Sequence, residues 1–468
     1  MTVSERKPVV FISISIGWAI RNFFHTGAID TLKQNFSVVI LTTPLIRDEI
    51  QKQGYHHDLE FIVLDTSSEP LKWRVFRQLK KKIYLEGRKS STEMLWRKYK
   101  KRPFYQVFGG YVIQGLLGLR LVKAPTLLRW IESLDMMING KKDLSSMFES
   151  YQPCLFLATH ASTYFEDSVL KNAIHNKVPS ALVVLSWDHL SGKIVLSNYY
   201  TAILVWNQMT RSEILQTYPS YKEEQIKVVG ISQYDVYLEE PVVSRSEWCH
   251  QYGLDPARKT ILFSTMPQVR HEQQHIILEE LLTEISKGGF GPFDVQVLIK
   301  CHPFDNTDVY DPLLSGAFPV SIYRSSLPVG APQSDWYPTQ DEMVISRDCL
   351  YYCDININIF STVTLEAALL DRPIIHVAFD PVPAADRIPC REYYNSEHFK
   401  PIVDMQATIL VSDYQELFTA ISTCLADPGY KSSERKRLVE SFLGDLSSPS
   451  SDRLAQAVVD LHEHTVKP

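Results

Sequence analysis

The stretch NINIFSTVTLEAALLDRPIIHVAFD, residues 356–380, reads as a buried strand, a hydroxyl pair, a helix and a second buried strand ending at Asp380. Ser361 and Thr362 stand where the first strand turns into the helix. A helix starting there presents unpartnered N–H groups and the positive end of its dipole, and two hydroxyls add donors for phosphate oxygens. Glu366 lies one turn further in, where a carboxylate could accept hydrogen bonds from a ribose diol. The same residues fit a plain helix start, with Ser361 as its cap and Glu366 as a surface charge. The rest of the chain must decide between the two.

Outward from this segment, strand-helix alternation recurs, the pattern of a parallel sheet covered on both faces. Toward the N-terminus of the second half, strands are expected at 260–265 and 295–302, with PIIHVAF at 373–379 following the quoted stretch. The first half offers strands at 9–16, 36–43, 59–65, 154–160, 180–187, 202–207 and 226–231. Residues 316–340, rich in Pro, Ser and Gly, read as a long loop near a cleft. The pattern predicts an α/β protein with two doubly wound domains: residues 1–240, residues 255–445, and a closing C-terminal helix within 451–468. Ligands of open α/β sheets bind at the C-terminal ends of the strands, so a cleft between two such domains is the expected site.

A basic, aromatic section interrupts the first domain. Between Leu71 and Trp130 sixteen Lys or Arg stand against two acids, a charge of +14 in a chain whose net charge is -6. Aromatic residues are interleaved with them, as suits an anionic lipid surface, although a solvated helical face has the same composition. The acidic remainder argues against nucleic acid as a partner. Seven cysteines show neither CxxC pairs nor zinc-ligand spacing, which points to reduced thiols and no metal. No apolar run reaches the roughly 18–20 residues that cross a bilayer. The opening MTVSERKPVV lacks a cleavage signal, and the expected location is cytoplasmic, peripheral at the inner membrane face.

Other stretches carry chemistry at strand ends. In VLIKCHPFD a buried strand delivers His302 just before Pro303, where regular pairing stops and an imidazole can donate to phosphate or transfer a proton. FSTMPQVRHEQ supplies Ser264 and Arg270, the latter either a phosphate fork or a surface charge. LSWDHLSGK places Asp188 beside His189 and Lys193, the makings of a general base with an acceptor site, although Asp188 could equally cap a turn. His160 in LATHASTYFED, and Gly17 with Arg21 after the first strand, are further candidates on the acceptor side. The glycine would allow close approach to backbone. Fingerprints for dehydrogenases, P-loop ATPases, α/β-hydrolases and zinc proteases are missing from the sequence.

With these motifs in place, the chain resembles the GT-B superfamily of nucleotide-sugar glycosyltransferases, near the bacterial CDP-glycerol glycerophosphotransferases and the UDP-N-acetylglucosamine 2-epimerases. The resemblance rests on SWDHLSGK, VVGISQYDVY, ILFSTMP, LIKCHP and FSTVTLEAALLDRPIIHVAFD, roughly residues 154–380. It implies two Rossmann-like domains, Ser361 and Thr362 on a donor pyrophosphate, Glu366 on the ribose, and His302 on the phosphates or in catalysis. Glycerophosphotransferases show a serine pair preceded by Asp-Tyr, whereas this chain has Asn358-Ile359-Phe360-Ser361-Thr362, which favours a nucleotide sugar over CDP-glycerol. Epimerases carry glycines where Thr362 and Val363 stand. The expectation is a transferase acting, without metal or cofactor, from a nucleotide-sugar donor to a cell-surface glycan or lipid-linked acceptor. Glycerophosphotransfer, 2-epimerisation and non-catalytic nucleotide-sugar binding are the alternatives.

Overall fold

The computed structural model describes residues 7–466 except 56–57, 66–68, 89, 100–114, 116–122, 139–143, 191–193, 269, 317, 326, 328–335 and 384–386. In the first half, hydrophobic runs form seven strands: β1 (Val9–Ile14), β2 (Ser37–Thr42), β3 (Glu60–Val63), β4 (Leu155–Ala158), β5 (Ser180–Val183), β6 (Ala202–Val205) and β7 (Ile226–Val228). They pair in parallel in the order β3-β2-β1-β4-β5-β6-β7. The second half supplies β8 (Lys259–Ser264), β9 (Val295–Lys300), β10 (Val320–Tyr323), β11 (Ile355–Asn358), β12 (Ile374–Val377) and β13 (Ile409–Val411). Their order is β10-β9-β8-β11-β12-β13, again all parallel. Each sheet therefore reverses its winding beside its own first strand, β1 or β8.

Strands buried on both faces read as continuous apolar runs, and most of the expected strands are of this kind, although the edge strands β3 and β7 are legible too. β4, β5, β6 and β12 are wholly buried. Two strands are additions to the expected set. β10 lies inside the stretch read as loop and is half-buried throughout, and β13 has a single buried residue. β10 sits in a stretch rich in Pro, Ser and Gly, and β13 is only three residues long, which hides both. Several expected strands also end early: 154–160 stops at Ala158 and 295–302 stops at Lys300. Thr159 and Cys301 are buried and His160 and His302 half-buried, but all four leave the ladder and form loops over the strand ends.

Helices named below are α1 (Gly17–Phe23), α2 (Leu71–Arg88), α3 (Ser91–Tyr99), α4 (Ala124–Ile138), α5 (Tyr164–His175), α6 (Gln340–Tyr352), α7 (Val363–Leu369) and α8 (Ser450–Val466). α2, α3 and α4 are the basic section. The closing helix α8 returns to the first half, where Asp235 accepts from the N–H groups of Ser450 and Ser451 at 2.7 and 2.9 Å. Contacts also cross between the halves elsewhere. His25 meets the Pro338 carbonyl at 2.8 Å, and Arg88 of α2 forms ion pairs with Glu213 of the first half and Glu397 of the second. All seven cysteines are unbridged.

Backbone of the two halves meets at Gly17. A Cβ there would stand 2.3 Å from the Trp336 carbonyl oxygen and 2.9 Å from the Tyr337 ring. The glycine thus admits backbone from the other half of its own chain. Gly17→Ala is expected to lower the melting temperature by the equivalent of about 1–3 kcal/mol, the usual cost of overpacking. A thermal melt indistinguishable from the parent would show that the halves do not meet there.

Candidate active site

Parallel register assembles one wall of the site. Ser264, the last residue of β8, pairs with Lys300 of β9 on one side and Asn358 of β11 on the other. The loops leaving these three strands therefore begin side by side, and carry Thr265, His302 and Ser361. Opposite them, the first half presents Arg21 of α1 and the 3-10 turn Ser232–Leu238. Between the two walls lies a cavity open to solvent. Of the residues singled out in the sequence, it gathers Ser264, His302, Ser361, Thr362 and Glu366 from the second half and Arg21 from the first.

The turn before α7 is held by strain and packing. Phe360 has φ 44°, a left-handed conformation that costs a non-glycine residue about 1–2 kcal/mol. Its ring stacks 4.7 Å from Phe399, and its N–H donates to the Tyr394 hydroxyl at 3.1 Å. Ser361, one residue ahead of the N-cap Thr362, accepts at Oγ from the Val363 N–H at 3.3 Å and so takes up one free N–H of the first turn, while its own proton remains available to a ligand. Thr362 makes no capping bond and is exposed to the cavity. Capping and phosphate binding are compatible at this turn.

His302 has one legible tautomer. The Phe304 N–H donates to Nδ1 at 3.1 Å, so the ring proton resides on Nε2, which is left as a donor. Burial first, and then the Lys300 charge, push its pKa down to about 3, so the ring is neutral at ordinary pH. The backbone N–H of His302 donates to Thr265 Oγ1 at 2.8 Å and ties the loop to β8. Ser264 Oγ accepts from Asn356 Nδ2 at 2.9 Å, which again turns a hydroxyl proton outward.

Two cations meet these donors. Arg21 and Lys300 both line the cavity, and neither has an ion-pair partner among the described residues. Arg21 donates to Gln233 Oε1, its Nε has no hydrogen-bond partner, and burial lowers its pKa while Glu366 opposes the shift. A sequestered guanidinium with a carboxylate nearby but no direct ion pair can still accept an anionic ligand. Glu366 is positioned by Tyr237 and Ser346, whose hydroxyls donate to Oε2 at 2.5 and 3.2 Å, leaving Oε1 for a ligand's hydroxyls.

The other candidates lie apart from the cavity lining. Arg270 is exposed beyond the end of β8, with the Tyr393 hydroxyl 3.5 Å from its carbonyl oxygen. Asp188 accepts from Ser186 Oγ at 2.6 Å. Its charge reaches the cavity wall: the Tyr234 phenol is pushed up by burial, then by Glu366, with Asp188 adding to the rise. His160 sits next to His189, ring centres 5.9 Å apart, with its pKa pushed down to about 4 by burial and then by Arg77. Lys193 falls outside the described residues. Sequence reading passed over Lys300 and Tyr237, although both stand in quoted motifs, LIKCHP and VVGISQYDVY. A lysine that ends a buried strand beside a candidate phosphate ligand was the available signal.

A buried carboxylate lies behind the first wall. Glu166 of α5 accepts from Ser15 Oγ at 2.6 Å, while Oε2 has no partner, and burial raises its pKa to about 7. Because the folded value exceeds the unfolded one, its contribution to stability is lost as pH rises from about 4.5 through about 7. Glu166→Gln is therefore expected to raise the melting temperature at pH 8 relative to the parent, with little gain at pH 4.5. A pH-independent difference between the two melting curves would contradict this.

No family model matches the sequence, and no curated protein matches it. Solved structures do resemble it. A UDP-GlcNAc 2-epimerase from Neisseria meningitidis bound to UDP-GlcNAc aligns with a TM-score of 0.55 at 11% identity, covering 98% of this chain and 100% of that one. A second UDP-N-acetylglucosamine 2-epimerase gives 0.54 at 11% identity over 99% and 97%. A glycosyltransferase from Rickettsia africae gives 0.50 at 10% over 98% and 99%. At such identity the likeness speaks for the fold. The chain has the GT-B architecture, two Rossmann-like units facing across a cleft.

Proposed function

We propose that the protein is a glycosyltransferase that moves a sugar from a nucleoside diphosphate donor to a glycan or lipid-linked acceptor at the cytoplasmic membrane face. The observation that carries this reading is the pair of cations, Arg21 and Lys300, that line one cavity with no direct ion pair among the described residues. Around them stand the donors a diphosphate would use: His302 Nε2–H and the hydroxyls of Ser264, Ser361 and Thr362. Glu366 Oε1 supplies the acceptor for a ribose diol. The structural neighbour with UDP-GlcNAc bound supports a nucleotide sugar as the donor class.

In this reading the bond between the anomeric carbon and the donor's β-phosphate oxygen breaks while an acceptor hydroxyl oxygen bonds to that carbon. Charge grows on the departing diphosphate, and Arg21, Lys300 and the His302 N–H are already oriented toward it, so no reorganisation is needed as the bond lengthens. Neutral His302 serves as a hydrogen-bond donor. Asp188, beside the Tyr234 wall, receives the proton of the acceptor hydroxyl. Arg270 would engage the donor only through movement of its loop. Gly17, His160 and Lys193 remain candidates for the acceptor side, His160 and Gly17 flanking the first wall.

A second reading is isomerisation of the nucleotide sugar with no acceptor, and the fold shared with 2-epimerases is what favours it. Incubating UDP-sugar alone separates the two: an epimer appears in one case, and only slow donor hydrolysis in the other.

Nucleoside diphosphates should raise the melting temperature, and Arg21→Ala or Lys300→Ala should each weaken their binding about 10- to 100-fold, the range for one charge-assisted hydrogen bond. If no nucleotide stabilises the parent protein, the donor site is refuted. The preference for ribose over 2′-deoxyribose nucleotides should vanish in Glu366→Gln. Asp188→Asn should lower kcat by about 10²–10⁴-fold while calorimetry shows donor affinity unchanged. A variant that loses both together would place Asp188 in binding instead.

A further inference from the structure

Helix α4 carries apolar residues on two faces. Its inward face buries Leu128, packs Leu127 and Ile131 against the core, and also buries its acids, Glu132 at 5% exposed and Asp135 at 1%. Four large apolar residues point outward, with Trp130 58% exposed, Leu134 46%, Met137 84% and Ile138 48%. Spacings of four, three and one put these four side chains on one stripe.

The inward face shows why the helix holds this orientation. Glu132 accepts from Ser197 Oγ at 2.5 Å and from Asn198 Nδ2 at 2.7 Å, and Asp135 forms ion pairs with Lys80 at 2.9 Å and Lys171 at 3.6 Å. Charge pairing, hydrogen bonds and the packing of Leu128 anchor the helix, and the outer apolar stripe is exposed among the described residues. α2 runs antiparallel beside it, since Lys80 meets Asp135 while Gly87 abuts Ala124. The first turns of α2 therefore extend the stripe at its Met137 end, with Leu71 72% and Val75 55% exposed.

Cations border this surface. Lys72 and Arg74 of α2 and Lys123 and Arg129 beside and on α4 are exposed, whereas Glu86 of α2 is half-buried and both acids of α4 are buried. Between α3 and α4 the sequence from Pro103 to Leu119 holds no charged residue and is bracketed by Lys100, Lys101, Arg102 and Arg120. No described helix is long and apolar enough to cross a membrane. Aromatic and aliphatic side chains ringed by Lys and Arg suit the boundary of a bilayer with anionic headgroups.

We propose that the outer face of α4, with the first turns of α2, is the surface by which this protein docks on an anionic lipid bilayer. The proposal rests on the membrane-facing part of the function given above and names where the contact is made. The surface also has a mechanical link to the acceptor side. Trp73 of α2 packs on Tyr164 with ring centres 5.5 Å apart, and Arg77 donates to the Ser162 carbonyl at 3.3 Å, in the loop that follows His160. Docking through α2 and α4 thus places that loop near the headgroups.

The test is sedimentation of the full chain with vesicles of phosphatidylcholine alone and of phosphatidylcholine mixed with phosphatidylglycerol. The parent should sediment with the mixed vesicles, less with neutral ones, and less again at high salt. The triple variant Trp130→Glu, Leu134→Glu, Met137→Glu should partition at least about tenfold less while keeping its thermal shift with UDP. Trp130→Ser, a milder change at one exposed ring, should lie between the two and covers the case in which the triple variant fails to fold. A parent that stays in solution with both vesicles overturns the proposal. So does a triple variant that sediments like the parent, or a parent dimer that the triple variant converts to monomer, which would assign the stripe to a second copy. Vesicle binding without any nucleotide shift would leave the docking surface standing and refute the donor site instead.

Discussion

Parallel pairing around β8 is the constraint from which the site follows. In a parallel sheet every strand ends at the same edge, and register holds Ser264 between Lys300 and Asn358. Neighbouring strands are about 4.8 Å apart, so three loops that are remote in sequence open within one ligand's reach. The winding reverses at β8, which parts the covering helices and leaves a crevice at those ends. The first sheet repeats the arrangement about β1, and Gly17 lets the two halves approach until Arg21 faces Lys300 across the cavity.

A buried polar chain supports this edge from within. Ser264 accepts from Asn356, whose side-chain oxygen accepts from Asn358 Nδ2 at 2.8 Å, and Asn358 in turn accepts from Thr364 at 3.3 Å. Thr364 and Thr408 meet the two nitrogens of His376 at 2.9 and 3.1 Å. Burial pushes His376 down to about 3, so the chain is a neutral hydrogen-bonded network with little to gain from charge. The asparagines of NINI are thereby explained: in an apolar strand they would cost several kcal/mol unpaired, and here each is satisfied while orienting the Ser264 hydroxyl.

Much of the fold was legible because two-sided burial writes long apolar runs into a sequence. β10 and β13 were not, since one lies in a stretch rich in Pro, Ser and Gly and the other is three residues long, whereas the edge strands β3 and β7 carry clearer apolar runs. In the candidate site, Ser361, Thr362, Glu366, His302 and Ser264 were readable from their positions at strand ends. Lys300 was harder, because a strand-final lysine ordinarily snorkels to solvent. Arg270 follows a strand end just as His302 does, yet it lies exposed outside the cavity lining. Adjacency to a strand end selects candidates, and the path of the loop decides among them.

The amino-acid sequence by itself determined the alternation of strands and helices, the two doubly wound halves and the placement of hydroxyls and a histidine at strand ends. These are local matters of periodicity, capping and proline, settled within a few residues. Only the tertiary structure decided that Arg21 of the first half shares a cavity with Lys300 of the second, and that α4 turns its acids inward and its tryptophan outward. Both depend on contacts between segments far apart in the chain. An arginine's lack of a direct ion pair and a helix's buried face are set by what packs against them, which spacing along one segment does not contain.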